Sequence, residues 1–123
     1  MIRLKPLIMA GAIAALPSCA FANTLLGDWQ RGDGNVRIRI AACGESLCAT
    51  NTWVKDSGSG EKVGEKLIFA VTQQGDGWAG SAYDPQRKLT ISTKLKVIGK
   101  RLTSSGCVLS GVICRSVDWM RLD

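Results

Sequence analysis

The sequence predicts an all-β fold, a small barrel or sandwich of about eight short antiparallel strands. Short runs alternate apolar and polar residues at period two, and clusters of Gly, Asn, Asp and Ser separate them at regular intervals. The stretch after the first 22 residues has no convincing run with the 3.6-residue period of an amphipathic helix. The chain has 123 residues, 46% of them hydrophobic, which supports one domain with its own core.

The predicted strands follow from this alternation. In chain order they are residues 26–31, 35–40, 47–54, 66–72, 77–83, 88–97, 101–109 and 112–121. The second is the clearest, because Val36, Ile38 and Ile40 alternate with arginines and so share one face. The sixth repeats the pattern with Leu89, Ile91, Leu95 and Val97 inward. Residues 56–64, rich in Gly and Ser, predict a mobile surface loop between the third and fourth strands.

The first 22 residues have the layout of a secretory signal peptide. Arg3 and Lys5 form a positive start, residues 7–16 form a short apolar run, and Ala20-Phe21-Ala22 is a small-x-small cleavage site. The apolar run is about half the ~20 residues that a membrane span needs. We therefore expect residues 1–22 to be removed, leaving a single domain over residues 23–123. An alternative is lipid attachment at Cys19, within a loose lipoprotein-like box.

Cleavage changes both the charge and the cysteine count. Of 16 basic residues, the segment removes two, so 14 remain against 10 acidic residues and the net charge falls from +6 to +4. Four cysteines remain, and an even number behind an export signal favours disulfides over catalytic thiols. A zinc site is the alternative, but its usual ligand spacing fits Cys43 and Cys48 and does not fit Cys107 and Cys114. We expect no metal site.

Turn geometry selects two local disulfides from the three pairings that four cysteines allow. A two-residue turn midway between Cys107 and Cys114 places them on directly opposed positions of a hairpin. A second turn, centred on residues 45–46, does the same for Cys43 and Cys48. Opposed residues lie within disulfide reach. The sequence therefore predicts the bridges Cys43–Cys48 and Cys107–Cys114, each a staple of one hairpin.

No catalytic constellation is visible. The chain has no histidine, which excludes His-dependent triads and His–metal sites. The serines lack a recognisable base, no spacing selects a pair of carboxylates, and no phosphate-binding glycine loop is present. We therefore expect neither enzymatic activity nor a cofactor.

The basic excess is modest and scattered, which disfavours nucleic-acid binding. Arg37, Arg39, Lys94 and Lys96 are predicted on outward strand faces. There they form either a solvated surface or a contact with an anionic membrane surface.

Five motifs carry a resemblance to a known family. In chain order they are Gly27-x-Trp29, Cys43-Gly44-x-x-Leu47-Cys48, Trp78-x-Gly80-x-x-Tyr83-Asp84-Pro85, Gly106-Cys107-x-Leu109 and Cys114-Arg115-Ser116-x-x-Trp119-x-Arg121. With this order and spacing the chain resembles the bacterial secreted domain-of-unknown-function family 2147, whose members are similar to lipocalin-like barrels. The resemblance implies an up-and-down barrel and a periplasmic or secreted location. It also implies that Trp29 closes one barrel end and that an arginine, Arg121 or Arg115, packs across its ring.

The sequence departs from the family pattern in its middle. Lys55-Asp56 is followed by Ser-Gly-Ser-Gly where the family carries Asn-Pro, and Pro85 is followed by Gln86 where the family carries Gly. A family ligand site built on this stretch is therefore not expected here.

The interpretation that combines these features is a secreted or periplasmic non-enzymatic binding protein for a small hydrophobic or amphipathic ligand. Trp53, Trp78 and Tyr83 are the candidate ligand-binding residues, because their rings have an apolar body and a polar tip. Trp78 and Tyr83 cannot both face inward in an unbulged strand. The alternative is an envelope protein-interaction module, an inhibitor or assembly partner that acts through its loops.

Overall fold

The computed structural model describes residues 24–122, so the predicted signal peptide and its cleavage site lie outside the described residues. Eight strands make up most of the described chain. They are β1 (Gly27–Arg31), β2 (Val36–Cys43), β3 (Ser46–Val54), β4 (Lys66–Gln74), β5 (Gly77–Asp84), β6 (Leu89–Ile98), β7 (Arg101–Val108) and β8 (Ile113–Leu122). A single 3-10 turn, Ser57–Ser59, lies between β3 and β4. Each predicted strand coincides with an observed one to within a few residues.

The strands form a closed antiparallel barrel. Each strand pairs with the next in the chain, and β8 returns to pair with β1. This confirms the all-β, up-and-down barrel of eight strands and excludes the sandwich. No helix in residues 24–122 is both long and apolar enough to cross a membrane.

The interior is lined by one face of every strand. On β2, Val36, Ile38 and Ile40 are buried while the arginines between them are exposed, as the alternation predicts. Trp29 and Leu102 are also fully buried, and they join the same core cluster. Burial of these side chains is the main favourable contribution to folding, at about 1.5–3 kcal/mol for each large apolar side chain.

The two ends of the barrel differ in their connections. At one end, here called the turn end, three two-residue turns join the strands at residues 44–45, 75–76 and 99–100. Each turn begins with a glycine whose φ lies between 61° and 68°. A two-residue hairpin turn needs a positive φ at its first residue, and glycine adopts this conformation readily. At the other end, here called the mouth end, the connections are longer and span residues 32–35, 55–65, 85–88 and 109–112. The longer loops leave the interior accessible from the mouth end.

Both predicted disulfides are present, and the register of one hairpin differs from the prediction. Cys107 lies directly opposite Cys114, with Cα atoms 4.1 Å apart. In the β2–β3 hairpin the turn is Gly44-Glu45, one residue earlier than predicted, because Gly44 takes the positive φ that the first turn position needs. Cys43 and Cys48 are therefore diagonal neighbours on the outer face, with Cα atoms 5.8 Å apart, and still form the bridge.

Candidate functional site

The turn end of the barrel is closed by Trp29 and Arg121. The Arg121 Cζ lies 4.2 Å from the centre of the fully buried Trp29 ring. Arg121 Nη1 also donates to the Leu26 carbonyl at 2.9 Å, and the indole Nε1 of Trp29 donates to the Leu25 carbonyl at 3.0 Å. The guanidinium is thus held over the ring by hydrogen bonds to the chain that precedes β1. The contact that the resemblance implied is present, and Arg121 rather than Arg115 makes it.

Beyond this closure lies a cavity of about 290 Å³ that opens at the mouth end. Its deep wall consists of apolar side chains from six strands. They are Val36, Ile38, Ile40, Ala49, Leu67, Phe69, Ile91, Leu95, Leu102 and Trp119. At about 30 Å³ for each water-sized group, the cavity encloses roughly ten non-hydrogen atoms. This is the lower end of the size range for small-molecule sites.

One side of the mouth carries a charged cluster around Arg31. Its guanidinium donates to both carboxylate oxygens of Glu61, and it pairs with Asp33 at 2.9 Å. The hydrogen bond from Arg31 holds the pKa of Glu61 below its ordinary value. The same partner is the main cause of the lowered pKa of Asp33. These groups therefore stay ionised and paired near neutral pH.

The opposite side of the mouth is built on Asp84, whose carboxylate is buried. Burial alone raises the pKa of this carboxyl, but hydrogen bonds from Gln86 and Arg87 outweigh it and the pKa lies below the ordinary value. The Gln86 amide donates to Asp84 at 2.6 Å, and Arg87 Nη1 donates to it at 3.0 Å. Arg87 also lies 3.8 Å from Glu65. With Lys66, the cavity lining has three cations and three carboxylates, so the mouth is strongly polar without a net charge.

The loop of residues 55–65 is fastened across the mouth end. Asn35 is central: its Oδ1 accepts from the Asp56 backbone at 2.9 Å, and its Nδ2 donates to Glu61 at 3.1 Å. The Asp56 side chain in turn caps the 3-10 turn by accepting from the Gly58 N–H. The segment predicted as a mobile loop is thus tied to Asn35, directly before β2, and to the Arg31 cluster by side-chain hydrogen bonds.

Trp53 lies on the outside of the barrel. Alternation along β3 from Ala49 and Asn51 would turn it inward, but a β-bulge at Thr52 shifts the register, so Trp53 faces Arg37. Arg37 Cζ stacks 4.6 Å from the Trp53 ring centre, and the residue is 37% exposed. The ring is therefore not part of the cavity wall.

Trp78 and Tyr83 are also separated from the cavity. Tyr83 is 41% exposed on the outer face, next to the buried Ala82. Trp78 lies opposite Leu95 and packs against the core, but it does not line the cavity. The structure does not bring the three candidate rings together, and their role in ligand binding stays a prediction.

Phe69 lines the cavity, and so does the indole ring of Trp119. Its Nε1 donates to Ser104 Oγ at 3.0 Å, and both side chains are in the wall. The sequence contains a signal for this placement, because Trp119 is two residues from Arg121 and therefore shares its face of β8. The charged residues of the mouth have no such signal in the sequence, since they come from strand ends and loops that are far apart along the chain.

A second opening lies beside β8. This strand pairs with β7 along residues 113–120, but with β1 only along residues 119–122. The Asp118 carbonyl accepts a hydrogen bond from the Gly32 N–H and so points away from β7. Because the N–H and C=O groups of every second residue in a strand point to the same side, those of Ser116 and Cys114 also point away from β7. Within residues 24–122 no strand pairs with them on that side. A cleft lined by Gly32, Ser59 and Ser116 runs along this edge.

The described residues contain no cluster of three or more His, Cys, Asp or Glu side chains that could hold a metal ion.

Residues 27–121 match the model of a protein family described as uncharacterized protein conserved in bacteria (DUF2147). The chain therefore belongs to this family. No curated protein and no solved structure matches the chain.

Proposed function

We propose that this DUF2147 member is a non-enzymatic binding protein that holds a small amphipathic molecule inside its barrel. The observation that supports the proposal is the cavity of about 290 Å³, which opens at the mouth end, while the Trp29–Arg121 contact closes the opposite end of the barrel. Its apolar wall would remove the ligand's hydrocarbon part from water, and the mouth would hold its polar part.

The charges at the mouth favour a ligand whose polar group is neutral. Arg31, Glu61, Asp84 and Arg87 are each already in an ion pair, and the lining as a whole is balanced. At either of these pairs an ionised ligand group would have to displace one partner and leave a half-buried charge without its counter-ion, which is costly. A hydroxyl or amide group can hydrogen-bond to the cluster and leave every pair intact.

Two disulfides are consistent with a protein that works outside the cytoplasm, because such bonds persist in oxidising compartments. We include in the proposal that the mature protein is periplasmic or secreted, after removal of a signal peptide near Ala22. The proposal includes neither a cofactor nor a nucleic-acid partner.

The proposal is tested by filling the cavity. Ala49 is buried and lines the cavity, whereas Ala70 is exposed on the outer face of β4. We expect Ala49→Phe to weaken the binding of 1-octanol at least about tenfold, a change of ~1.4 kcal/mol, because the ring occupies the ligand's volume. Ala70→Phe adds the same ring outside the barrel and leaves the affinity unchanged.

Calorimetric titration of the folded variants measures this difference, with thermal unfolding as the check on folding. Octanoate and octylamine, which carry a net charge, are expected to bind more weakly than 1-octanol. Equal binding of the probe by both variants, or no binding by the wild-type protein, would contradict the proposal.

A second candidate function is a protein-interaction module, and the open edge of β8 favours it. The unpaired backbone groups of Cys114 and Ser116 can accept an additional strand from an extended segment of an envelope protein. The adjoining cleft between this edge and the residue 55–65 loop leaves space for such a segment.

A further inference from the structure

The turn between β7 and β8 and the first residue of β8, together residues 109–113, form an apolar tip at the mouth end. Leu109 is 68% exposed, Val112 is 77% exposed and Ile113 is 55% exposed. Leu89, at the start of the neighbouring strand β6, is also exposed. Single exposed apolar residues are ordinary on protein surfaces, but a contiguous group of large ones indicates a binding surface.

The tip is held in a defined shape. Ser110 and Gly111 have φ of 55° and 86°, and the Val112 N–H donates to the Leu109 carbonyl, which is a tight hairpin turn. Leu109 itself has φ of 54°, a left-handed backbone that a leucine rarely adopts. The bridge between Cys107 and Cys114 fastens the hairpin directly below it. The exposed side chains are therefore presented by a stapled turn.

The flanks of the tip are cationic. Within residues 85–117, which contain no acidic residue, three of the seven basic residues lie near the mouth end, namely Arg87, Lys88 and Arg115. Two of the basic residues, Lys88 and Arg115, flank the tip and are exposed. In the part of the chain that the structure describes, no carboxylate pairs with either of them. The tip thus has an apolar apex and basic flanks.

We propose that this tip docks on an anionic lipid membrane surface, which goes beyond the proposed ligand binding and does not depend on it. The apolar side chains would enter the interface between head groups and acyl chains, while Lys88 and Arg115 would meet lipid phosphates. A bilayer accommodates a convex apex, whereas a protein partner would need a matching pocket. Charge complementarity selects anionic lipid, because each cation near such a surface strengthens binding about fivefold.

Docking by the tip also sets the orientation of the barrel. The tip and the cavity mouth lie at the same end, so the docked protein directs its mouth toward the head groups. Trp29 and Arg121 at the turn end would then face away from the membrane.

Vesicle flotation tests the proposal with the full mature chain. The probe is vesicles of phosphatidylethanolamine with phosphatidylglycerol, compared with vesicles of phosphatidylcholine alone. We expect the wild-type protein to bind the anionic vesicles and to lose most of that binding on phosphatidylcholine or at high salt.

The variants separate the two parts of the surface. Leu109→Asn combined with Val112→Thr removes the apolar apex, and Asn tolerates the positive φ of position 109, so we expect at least about a tenfold loss of vesicle binding. Lys88→Gln combined with Arg115→Gln should lower binding about twenty-five-fold, as two charges at about fivefold each.

The matched controls lie away from the tip. Ile98→Thr removes a 67% exposed isoleucine at the turn end, and Lys94→Gln combined with Arg101→Gln removes two other exposed cations. Both controls should bind as the wild-type protein does, provided that thermal unfolding shows all variants folded. The proposal is overturned if the tip variants bind vesicles as well as the controls do. It is also overturned if the wild-type protein does not bind anionic vesicles, even if its tip is then found to bind a protein partner.

Discussion

Gly27 has no room for a side chain, because a Cβ there would lie 2.9 Å from Arg121 Nη1. Its φ of 126° is also unfavourable for any other residue. The glycine of the Gly-x-Trp motif therefore admits the guanidinium that covers the Trp29 ring. The motif and the distant arginine form one structural unit, which is the contact that the family resemblance implied.

Replacing Arg121 tests how much this unit contributes to the stability of the fold. We expect Arg121→Ala to lower the free energy of unfolding by about 2 kcal/mol, because it removes the cation–π contact and charged hydrogen bonds to the chain before β1. Urea denaturation measures the change. Arg101→Ala, an exposed arginine on β7, is the control and should change stability by less than about 0.5 kcal/mol. Equal stability of the two variants would show that the closure is not a stabilising contact.

Asp84 gives the fold a defined sensitivity to acid. Because its pKa is lower in the folded chain than in the unfolded chain, its carboxylate stabilises the fold above about pH 4, and this contribution is lost as the pH falls through the folded pKa. We expect Asp84→Asn to be less stable than the wild-type protein by about 1–2 kcal/mol at pH 7, since it removes a charged hydrogen-bond acceptor. The difference should shrink toward pH 2.

The measurement is denaturant unfolding across this pH range, with the exposed residue Asp76 replaced by Asn as the control. Asp33 and Glu61 also have lowered pKa values, so the wild-type protein and both variants lose stability in acid. The test is therefore the difference between proteins and not the absolute stability. A difference for Asp84→Asn that stays constant from pH 7 to pH 2 would contradict the assignment.

At the scale of elements, β8 combines two roles, because half of it closes the barrel and the other half has an open edge. Ser116 lies in the open half, and its N–H points away from β7. We expect Ser116→Pro to remove this edge donor and leave the β7–β8 ladder intact, since proline is tolerated on the solvent side of an edge strand. Ser116→Ala is the matched control, because both variants lose the hydrogen bond with Ser105.

Under the protein-interaction alternative, envelope extracts should yield a partner retained by Ser116→Ala and lost with Ser116→Pro. Retention by both variants would show that the edge is not the binding element. Circular dichroism establishes that both variants keep the barrel.

The strands and turns also show which features of the fold can be predicted from the sequence. Alternation predicts β2 and β6 with their inward faces, because a period of two is a local property of an extended chain. It fails at Trp53, where a single inserted residue, Thr52, reverses the facing of the ring. The cysteine spacing predicts a turn at residues 45–46, one residue later than the observed Gly44-Glu45, because the register depends on which residue takes the positive φ.

At the scale of the molecule, the barrel assembles a mouth that no single segment encodes. Arg31 is the last residue of β1, Glu61 comes from the loop after β3, and Asp84 and Arg87 come from the end of β5 and the turn after it. Their pairing depends on strand closure and on the length of the loops. The fold and both disulfides could therefore be predicted from local patterns, whereas the charged mouth could not.

The two ends of the barrel differ, since one is closed and the other is open. Tight glycine turns and the Trp29–Arg121 contact close the turn end. Long loops, the cavity opening and the exposed apolar tip lie together at the mouth end. Under our proposals, membrane docking and ligand entry would use the same end, so a ligand with a hydrocarbon part could pass between bilayer and cavity without crossing open water.

Native mass spectrometry tests most directly whether the barrel holds a small amphipathic molecule. The protein is purified in detergent-free buffer from the bacterium that encodes it, and its mass is compared before and after denaturation and solvent extraction. We expect a bound species that is released on denaturation, carries a hydrocarbon part and an uncharged polar group, and is absent from Ala49→Phe but present in Ala70→Phe. Repeated recovery of the wild-type protein with no bound molecule, or with the same molecule on both variants, would contradict this expectation.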